Sequence, residues 1–229
     1  MIIDNIEASK KIKKLLRKEP EFKPLRKEAF NALADSMVIK TYREKQILFD
    51  QGDYRQNYFY LIDGAVEAFW DYKNKNLPEY LFIGPHKAFP YVGLFEDQKY
   101  IYGAQAMTDV TLAILPMNMY ENAIKQSQVM MIGAIHNMNT VIKDIRYRFT
   151  QVSAHFARYR VENVIDLLVR ELGVAQKDNT TMVPYSITLN KMAKISNLTR
   201  ETTGKIVRKL IENGKLEYKH KKIRVPNLP

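Results

Sequence analysis

The stretch TLNKMAKISNLTRETTGKIVRKL, residues 188–210, predicts two short helices joined by a tight turn. Thr188 and Thr199 stand where a hydroxyl caps a helix start, although neither is followed three residues later by Glu or Gln. Asn197 falls in the turn, and asparagine tolerates the left-handed backbone conformation that such a turn needs. The stretch therefore predicts a helix-turn-helix.

The second predicted helix has two chemically distinct faces. Residues at three- and four-residue spacing form an apolar face, which comprises Thr203, Ile206, Val207, Leu210 and Ile211. The opposite face comprises Arg200, Glu201, Gly204, Lys205 and Arg208. Arginine and lysine donate to the edge of guanine, a carboxylate accepts from cytosine, and glycine lets a backbone approach a groove wall. The pattern predicts a helix that reads DNA bases, and the alternative is a solvated charged face without a partner.

Further elements are expected on both sides of this helix pair. Gly214 indicates the end of the second helix. Beyond it, apolar residues alternate around a turn at His220-Lys221 and predict a small β wing: Leu216, Tyr218, Ile223 and Val225. Ahead of the pair, the apolar spacing in residues 161–172 predicts a helix, and the polar run 177–181 predicts a turn before a strand around 185–187.

The positive charge of the chain is concentrated near this segment. The net charge is +11, and residues 185–229 contain eleven Lys or Arg against three Glu. Residues 1–20 contain six basic against three acidic residues, whereas residues 21–184 contain nineteen of each. Such a local excess is expected of a surface that neutralises phosphates. An anionic membrane surface is the competing partner, but the segment lacks a broad apolar face for insertion.

Length and composition predict two domains of ordinary size, since the chain has 229 residues of which 46% are hydrophobic. The absence of cysteine excludes disulfides and cysteine-ligated zinc or iron–sulfur clusters. No stretch has the length and apolarity of a signal peptide or a membrane span, so we expect a cytoplasmic location and no membrane partner. The four histidines lack metal spacing and no catalytic motif stands out, so we assign no catalytic residue, no metal site and no cofactor.

A heptad pattern runs through the middle of the chain. Apolar residues recur there at alternating intervals of four and three: Met131, Ile135, Met138, Ile142, Ile145, Phe149, Val152 and Phe156. A helix of roughly 28 residues is about 42 Å long, enough to bridge two domains. Two copies paired along this seam would suit DNA half-sites one helical turn apart. The pattern favours a homodimer, and the alternative is an ordinary amphipathic helix packed within its own domain.

The earlier half of the chain has the pattern of a β structure. Short apolar runs alternate with turn residues, and Asp63-Gly64 is a strong hairpin signal. The runs that predict strands are 46–49, 58–62, 66–70, 80–83 and 111–115. Their spacing predicts an antiparallel barrel or roll.

These features together resemble the Crp/Fnr family of transcription regulators. The resemblance is carried by the turn at Gln51-Gly52, the hairpin Tyr60–Gly64, the long helix, and TRETTGK at residues 199–205, which is similar to the family's SRETVGR. It implies an α+β fold with an N-terminal double-stranded antiparallel β-roll as sensor domain, residues 1–116. It further implies a linker and long dimerisation helix over 117–156 and a winged helix-turn-helix DNA-binding domain over 157–229.

The resemblance also implies roles for individual residues. Arg200 and Glu201 would each read a G·C pair of a palindromic TGTGA-like operator. Lys205 replaces the family's arginine, and an ammonium group cannot form the planar bidentate fork of a guanidinium. We assign phosphate contacts to Thr199, Thr202, Arg208 and Lys221. The implied partners are double-stranded DNA, a second copy of the chain and, for an activator, RNA polymerase.

The sensor departs from the cyclic-AMP-binding members of the family. Those members carry Gly-Glu and, about ten residues later, Arg-Ser, whereas this chain has Pro90-Tyr91 and no Arg-Ser pair. Their adenine contacts from the long helix fall near Ile145-Arg146, which do not match, and the cluster cysteines of the Fnr branch are absent. We therefore expect an effector other than cyclic AMP, or none.

Residues near this departure could line a small-ligand pocket. The candidates are Tyr91, Phe95, Lys99, Tyr100 and Tyr102, although aromatics in a β-roll serve equally well as core. His136 lies beside the heptad seam, but no second ligand accompanies it and we assign no haem. A narrower resemblance to Gram-positive regulators of arginine deiminase operons is carried by residues 88–90, 93–95 and 106–109.

A second function class stays open. The chain could be a β-roll ligand-binding or protein-interaction module whose basic tail contacts nucleic acid non-specifically. Only a sequence-specific regulator prefers palindromic TGTGA DNA over random duplex by orders of magnitude.

Overall fold

The computed structural model describes residues 6–70, 79–152 and 156–226, with side chains for residues 10–70, 81–146 and 156–226. The protein combines helices with antiparallel strands and divides into two compact units. The first unit comprises Met1–Ala68 and Ile83–Ile142, and the second comprises Phe69–Phe82 and Lys143–Pro229. Within the described residues, no helix has the length and apolarity needed to cross a membrane.

The elements follow one another in a simple order. Two helices come first, α1 (Ile6–Leu16) and α2 (Lys27–Asp35). The strands that follow are β1 (Val38–Tyr42), β2 (Ile47–Phe49), β3 (Asn57–Asp63), β4 (Val66–Trp70), β5 (Glu79–Ile83), β6 (Lys87–Phe89), β7 (Gly103–Ala106) and β8 (Val110–Pro116). Next come α3 (Met117–Lys125) and α4 (Gln128–Val152). The remaining elements are α5 (Ala157–Leu172), β9 (Val174–Ala175), β10 (Thr180–Val183), α6 (Leu189–Ser196), α7 (Arg200–Glu212), β11 (Glu217–Lys219) and β12 (Lys222–Pro226).

The strands β1 to β8 form two four-stranded sheets, with the orders β1-β8-β3-β6 and β2-β7-β4-β5. The five predicted strand runs are confirmed as β2, β3, β4, β5 and β8. Gly64 lies in a turn between β3 and β4 with φ of +89°, but these two strands belong to different sheets, so the hairpin predicted at Asp63-Gly64 is wrong and the turn connects the two sheets. This part of the chain is an antiparallel β-sandwich accompanied by helices.

The central strand β3 is buried on both of its faces. Tyr58 and Tyr60 belong to a core that β3 shares with α1, α2, α3 and α4. Phe59 points the other way and stacks on Phe89 and Phe49, with ring centroids 5.3 and 5.4 Å apart. Successive side chains on a strand point to opposite faces, so this one strand separates a helix-side core from a sandwich interior.

The second unit is a three-helix arrangement with a small sheet. Helices α5, α6 and α7 pack against one another, and α5 also packs against β10 and β12. The sheet order is β11-β12-β10-β9. His220 and Lys221 both have positive φ, 49° and 61°, so the predicted two-residue hairpin turn is confirmed.

The ends of α6 and α7 also match the sequence prediction. Thr188 accepts a hydrogen bond from the Lys191 backbone N–H, and Thr199 accepts one from the Thr202 N–H, each at 3.1 Å. Asn197 has the left-handed φ of 51° in the turn between the helices. Both caps are thus made without the capping-box carboxylate.

Two further details of the prediction are wrong. The strand expected around 185–187 is formed instead by Thr180–Val183, because Pro184 lacks the N–H that would continue the ladder. Ile211 was expected in the apolar face of α7, but its side chain is exposed whereas Val207 and Leu210 are buried. Ile211 lies in the last turn of α7, at the edge of the face that packs against the rest of the unit.

Glycine is required at position 64 by space as well as by φ. A Cβ built there would collide with the carbonyl oxygen of Asp109 and come within 2.8 Å of Val110 Cγ1. Gly52 has a similar φ of +93°, but a Cβ there meets nothing within 4 Å. Gly52 is therefore favoured by its backbone conformation alone, whereas Gly64 is required both by its backbone conformation and by the lack of space for a Cβ.

We expect Gly52→Ala to lower the free energy of unfolding by about 1–2 kcal/mol, the cost of a left-handed Ala. Gly64→Ala should cost a further 1–3 kcal/mol or so, because the backbone must also move to relieve the collision. Urea denaturation followed by circular dichroism measures both variants. Equal losses would contradict the close approach at Gly64.

Candidate functional site

Helix α7 presents a charged face that is separated from its packed face. Thr203, Val207 and Leu210 are buried and attach the helix to its unit. The four charged candidates on the opposite side are all exposed: Arg200, Glu201, Lys205 and Arg208. Among the described residues, no ion pair involves Arg200, Lys205 or Arg208. Their charges are therefore available to an external anion.

The N-terminal cap of α7 distinguishes the two threonines predicted to contact phosphate. The Thr199 hydroxyl accepts from the Thr202 N–H and donates to Thr202 Oγ1 at 2.9 Å. Its single proton is therefore used inside the helix terminus. The hydroxyl proton of Thr202 is not committed in this way, so Thr202 is the better phosphate donor of the pair.

Gly204 lies at the side of this face that is nearest to α6. The closest atom to a Cβ built at Gly204 is Leu189 Cδ1, at 3.8 Å, which is ordinary van der Waals contact. An alanine would therefore fit, and glycine is not required there by the protein's own packing.

The β11–β12 hairpin is tied to the start of the helix pair. The Ile187 N–H donates to the Lys221 carbonyl and the Tyr218 hydroxyl donates to the Ile187 carbonyl, both at 2.7 Å. Ile187 directly precedes the Thr188 cap of α6. These bonds fix the position of Lys221, whose side chain is exposed, relative to the helix pair.

Other charges of the hairpin are already paired. Lys219 contacts Glu217 at 2.8 Å, and Arg224 contacts Asp178 at 2.8 Å and Glu217 at 3.7 Å. Within the part of the chain that the structure describes, Lys221 forms no ion pair. It is therefore the cation of this hairpin turn best suited to an external phosphate.

The long helix α4 has one packed face and one exposed apolar face. Met130 and Ala134 are buried in the helix-side core. Successive residues of an α-helix are rotated by about 100° around its axis, so the heptad positions lie on a face next to the one that carries Met130 and Ala134. Those that are exposed include Met131 at 39%, Ile135 at 53%, Ile142 at 62% and Ile145 at 42%. Met138 is half-buried, and Phe156, 70% exposed, lies beyond the end of α4.

Two further heptad positions, Phe149 and Val152, have backbone in α4 but side chains outside the described residues. The helix has 25 residues from Gln128 to Val152, close to the expected length. An exposed apolar stripe of this length on one helix is unusual for a surface that faces only water.

The five predicted effector residues are not brought together. Tyr100 and Tyr102 are buried in the sandwich interior, where Tyr100 stacks on Phe49 at 3.9 Å. Tyr91 belongs to the opposite, helix-side core. Phe95 is 44% exposed, and the exposed Lys99 lies over the Tyr54 ring at 5.5 Å. The sheet therefore separates residues that adjacency in sequence had grouped.

A buried ion pair, which the sequence reasoning missed, lies beside Phe95. Arg55 Nη2 donates to Glu121 Oε1 at 2.6 Å, and only 4% of the Arg55 side chain is exposed. The same carboxylate oxygen accepts from the Phe95 backbone N–H at 2.9 Å, and Arg55 Nε donates to the Asp97 carbonyl at 2.9 Å. No local sequence signal marks this pair, because its members are 66 residues apart.

Comparison with known proteins agrees with this architecture. Residues 39–127 match the family model of the cyclic nucleotide-binding domain. The regulator ArcR of Staphylococcus haemolyticus is 24% identical over 80% of this chain and 83% of its own length. The global nitrogen regulator of a Nostoc species is 22% identical over 82% of this chain and 85% of its own.

Solved structures show the same fold over most of the chain. FixK2 from Bradyrhizobium japonicum aligns with a TM-score of 0.70 at 16% identity, over 83% of this chain and 93% of that one. The c-di-GMP responsive regulator CLP of Xanthomonas campestris aligns with a TM-score of 0.67 at 17% identity, over 88% and 98%. The chain is therefore similar to regulators of the Crp/Fnr family over most of its length. Its relatives include both ArcR proteins and nitrogen regulators, at similar identity, so the narrower assignment stays a prediction.

The Arg55–Glu121 pair is hydrogen-bonded to the turn that contains Phe95 and Asp97. The turn follows Pro90-Tyr91, the residues that replace Gly-Glu. The Glu121 carboxylate accepts a hydrogen bond from the Phe95 N–H and neutralises the charge of the buried Arg55. A phosphate arriving at this turn would need to displace that carboxylate. Among the described residues there is also no group of three or more side chains suited to holding a metal ion.

We expect Glu121→Ala to lower the free energy of unfolding by about 3–5 kcal/mol, because it leaves a buried guanidinium without its partner. Glu44→Ala is the matched control, since Glu44 pairs with Lys45 at 3.6 Å and both side chains are largely exposed. The control should change stability by less than about 0.5 kcal/mol. Chemical denaturation measures both, and similar small losses would show that Arg55 is solvated without Glu121.

Proposed function

We propose that this chain is a homodimeric, sequence-specific DNA-binding transcription regulator of the Crp/Fnr type. The observation that carries the proposal is the exposed face of α7, whose cations form no ion pair among the described residues and which lies opposite the buried Thr203, Val207 and Leu210. In this proposal residues 157–229 act as a winged helix-turn-helix. Their charge supports the assignment, since residues 185–229 hold eleven basic against three acidic residues.

We assign base contacts and phosphate contacts to different residues according to the chemistry of each side chain. Arg200, Glu201 and Lys205 read base edges of a palindromic TGTGA-like operator. Thr202, Arg208 and Lys221 contact phosphates and set the position of the helix on the duplex. Thr199 acts mainly through its cap, which orders the first turn of α7. In this proposal Lys221 in the hairpin turn contacts the same duplex as α7, because two hydrogen bonds at Ile187 hold the hairpin beside the helix pair.

Dimerisation is proposed along the exposed stripe of α4. Burying Met131, Ile135, Ile142 and Ile145 against a second copy would remove large apolar side chains from water. The two-fold symmetry of such a dimer matches a palindromic operator. The proposed domains are a sensor over 1–116, a linker and dimer helix over 117–156, and the DNA-binding domain.

We further propose that the sensor does not use cyclic AMP. Two observations support this: the Arg-Ser pair is missing from the sequence, and Glu121 occupies the turn that follows Pro90-Tyr91. Titration of the purified protein with cyclic AMP in a calorimeter should give no saturable heat.

The specific function is tested by competition between a palindromic TGTGA duplex and a random duplex at one salt concentration. The proposal requires a preference of at least about a thousandfold for the palindrome. A preference below tenfold would instead support a module with non-specific nucleic-acid affinity.

Arg200→Ala and Lys221→Ala separate the proposed base and phosphate contacts. Arg200→Ala should weaken the cognate duplex by about 1–3 kcal/mol and remove the preference at one guanine. Lys221→Ala should weaken all sequences alike and lower the slope of log affinity against log salt by about one. Lys177→Ala, an exposed lysine in the β9–β10 turn, is the control. If Arg200→Ala weakened cognate and random DNA equally, Arg200 would be a phosphate contact.

Ile142→Asp tests the proposed dimer face against a closely matched site. Ile142 is 62% exposed in the heptad stripe, and Val129 is 61% exposed on the same helix but outside the stripe. Ile142→Asp should convert the dimer to monomer, because the seam would bury unpaired charge, and specific DNA affinity should fall with it. Val129→Asp should leave the dimer intact. Sedimentation velocity measures both, and an unchanged dimer for Ile142→Asp would exclude this face.

A further inference from the structure

Three buried tyrosine hydroxyls converge on one carboxylate in the first unit. Tyr58 on β3 donates to Glu21 Oε1 at 2.8 Å, and Tyr91 donates to Glu21 Oε2 at 2.6 Å. Tyr120 on α3 donates to Glu21 Oε1 as well. The three rings are buried, with exposures of 0%, 7% and 1%, so their hydroxyls have little access to water.

The long helix contributes a fourth polar group. Asn137 Nδ2 on α4 donates to the Tyr91 hydroxyl at 2.7 Å and lies 3.4 Å from Glu21 Oε2. The cluster therefore joins β3, the segment after β6, α3 and α4 at a single point. Each of these groups meets the same carboxylate, directly or through Tyr91.

Contacts between the rings help to position the three hydroxyls. Tyr58 and Tyr120 stack with centroids 3.6 Å apart, and Tyr91 meets Tyr58 edge-on at 5.9 Å. Burial, and then the Glu21 charge, raise the pKa of all three phenols well above the usual value. The phenols therefore stay protonated and act as donors, and O–H donors to an ionised carboxylate form short, strong hydrogen bonds.

The carboxylate comes from a separate segment. Glu21 lies between α1 and α2, in a turn that the Arg17 guanidinium holds by donating to the carbonyls of Phe22, Lys23 and Leu25 at 2.8 to 3.0 Å. Glu21 itself is only half-buried. The donors thus belong to β3, the segment after β6, α3 and α4. The acceptor, Glu21, belongs to the turn between α1 and α2 at the edge of the cluster.

We propose that Tyr58, Tyr91, Tyr120 and Asn137 form a carboxylate-binding site that Glu21 fills as an internal ligand, and that a small monocarboxylate can take its place. The described hydrogen bonds of the cluster include no lysine or arginine, so nothing compensates a second negative charge. A monoanion with two coplanar oxygens therefore fits better than a phosphate. Because Asn137 lies on α4, occupancy of the site also fixes this helix to the sheet. The proposal concerns the first unit and does not depend on DNA binding.

The test is chemical rescue of Glu21→Ala, which empties the carboxylate position without touching the donors. We expect the melting temperature of the full chain to fall by about 5 °C or more, because buried hydroxyls lose their acceptor. Sodium acetate should restore most of this loss in a saturable manner, whereas chloride and phosphate at equal ionic strength should not. Glu96→Ala, an exposed carboxylate of the same unit, is the control and should show neither the loss nor the rescue.

Every other outcome counts against the proposal. A loss that acetate does not restore would make Glu21 a fixed packing contact, and rescue by phosphate as strong as by acetate would exclude a site selective for monocarboxylates. An unchanged melting temperature would show that the hydroxyls do not need the carboxylate.

A second variant keeps the test decisive if Glu21→Ala does not fold. Glu21→Gln keeps the size of the side chain and removes its charge. The Asn137 side-chain amide signals in nitrogen-15 NMR should shift in this variant and should not shift in Glu96→Ala. Unshifted Asn137 signals would overturn the link between the carboxylate and α4.

Discussion

The alternation of side chains along β3 is the constraint on which the first unit depends. Tyr58 and Tyr60 face the helices while Phe59 faces the sandwich interior, and β3 is hydrogen-bonded to both β8 and β6. A shift of one residue in this register would exchange the two faces, moving polar phenols into an aromatic stack. The same alternation divides the described aromatic residues of the first unit into a helix-side group and a group inside the sandwich. It thus determines which of them can share a ligand.

Several polar groups on the helix side of this sheet follow one physical rule. A buried charge or hydroxyl is tolerated when it has a partner, and here the partners come from distant parts of the chain. Arg55 is paired with Glu121, and the hydroxyls of Tyr58, Tyr91 and Tyr120 meet Glu21. Both carboxylates lie where an external anion would otherwise be the natural partner. The first unit therefore supplies negative charge to these positions from its own side chains.

The second unit differs, since several of its exposed cations form no ion pair among the described residues. Lys219 and Arg224 pair with acidic neighbours, whereas the described contacts of Arg200, Lys205, Arg208 and Lys221 include no ion pair. Hydrogen bonds at Ile187 connect the hairpin to the helix pair. Free cations are thus carried by elements whose backbones are fixed. That combination suits the recognition of a regular array of phosphates.

The sequence by itself determined whatever depends on neighbours in the chain. The caps at Thr188 and Thr199, the left-handed Asn197, the hairpin at His220-Lys221 and the strand runs all follow from local backbone preferences. Apolar spacing identified the packed face of α7, except for Ile211 at its end. Likewise, the heptad spacing located the exposed stripe of α4.

Only the tertiary structure decided which distant residues meet. It separated Tyr91 from Tyr100, joined Arg55 to Glu121, and brought Glu21 to tyrosines 37, 70 and 99 residues away. No periodicity encodes such contacts, because they depend on how sheet and helix faces pack in three dimensions. The local elements could be predicted because backbone geometry and side-chain direction repeat within a few residues, whereas the polar sites are set by packing between elements far apart in the chain.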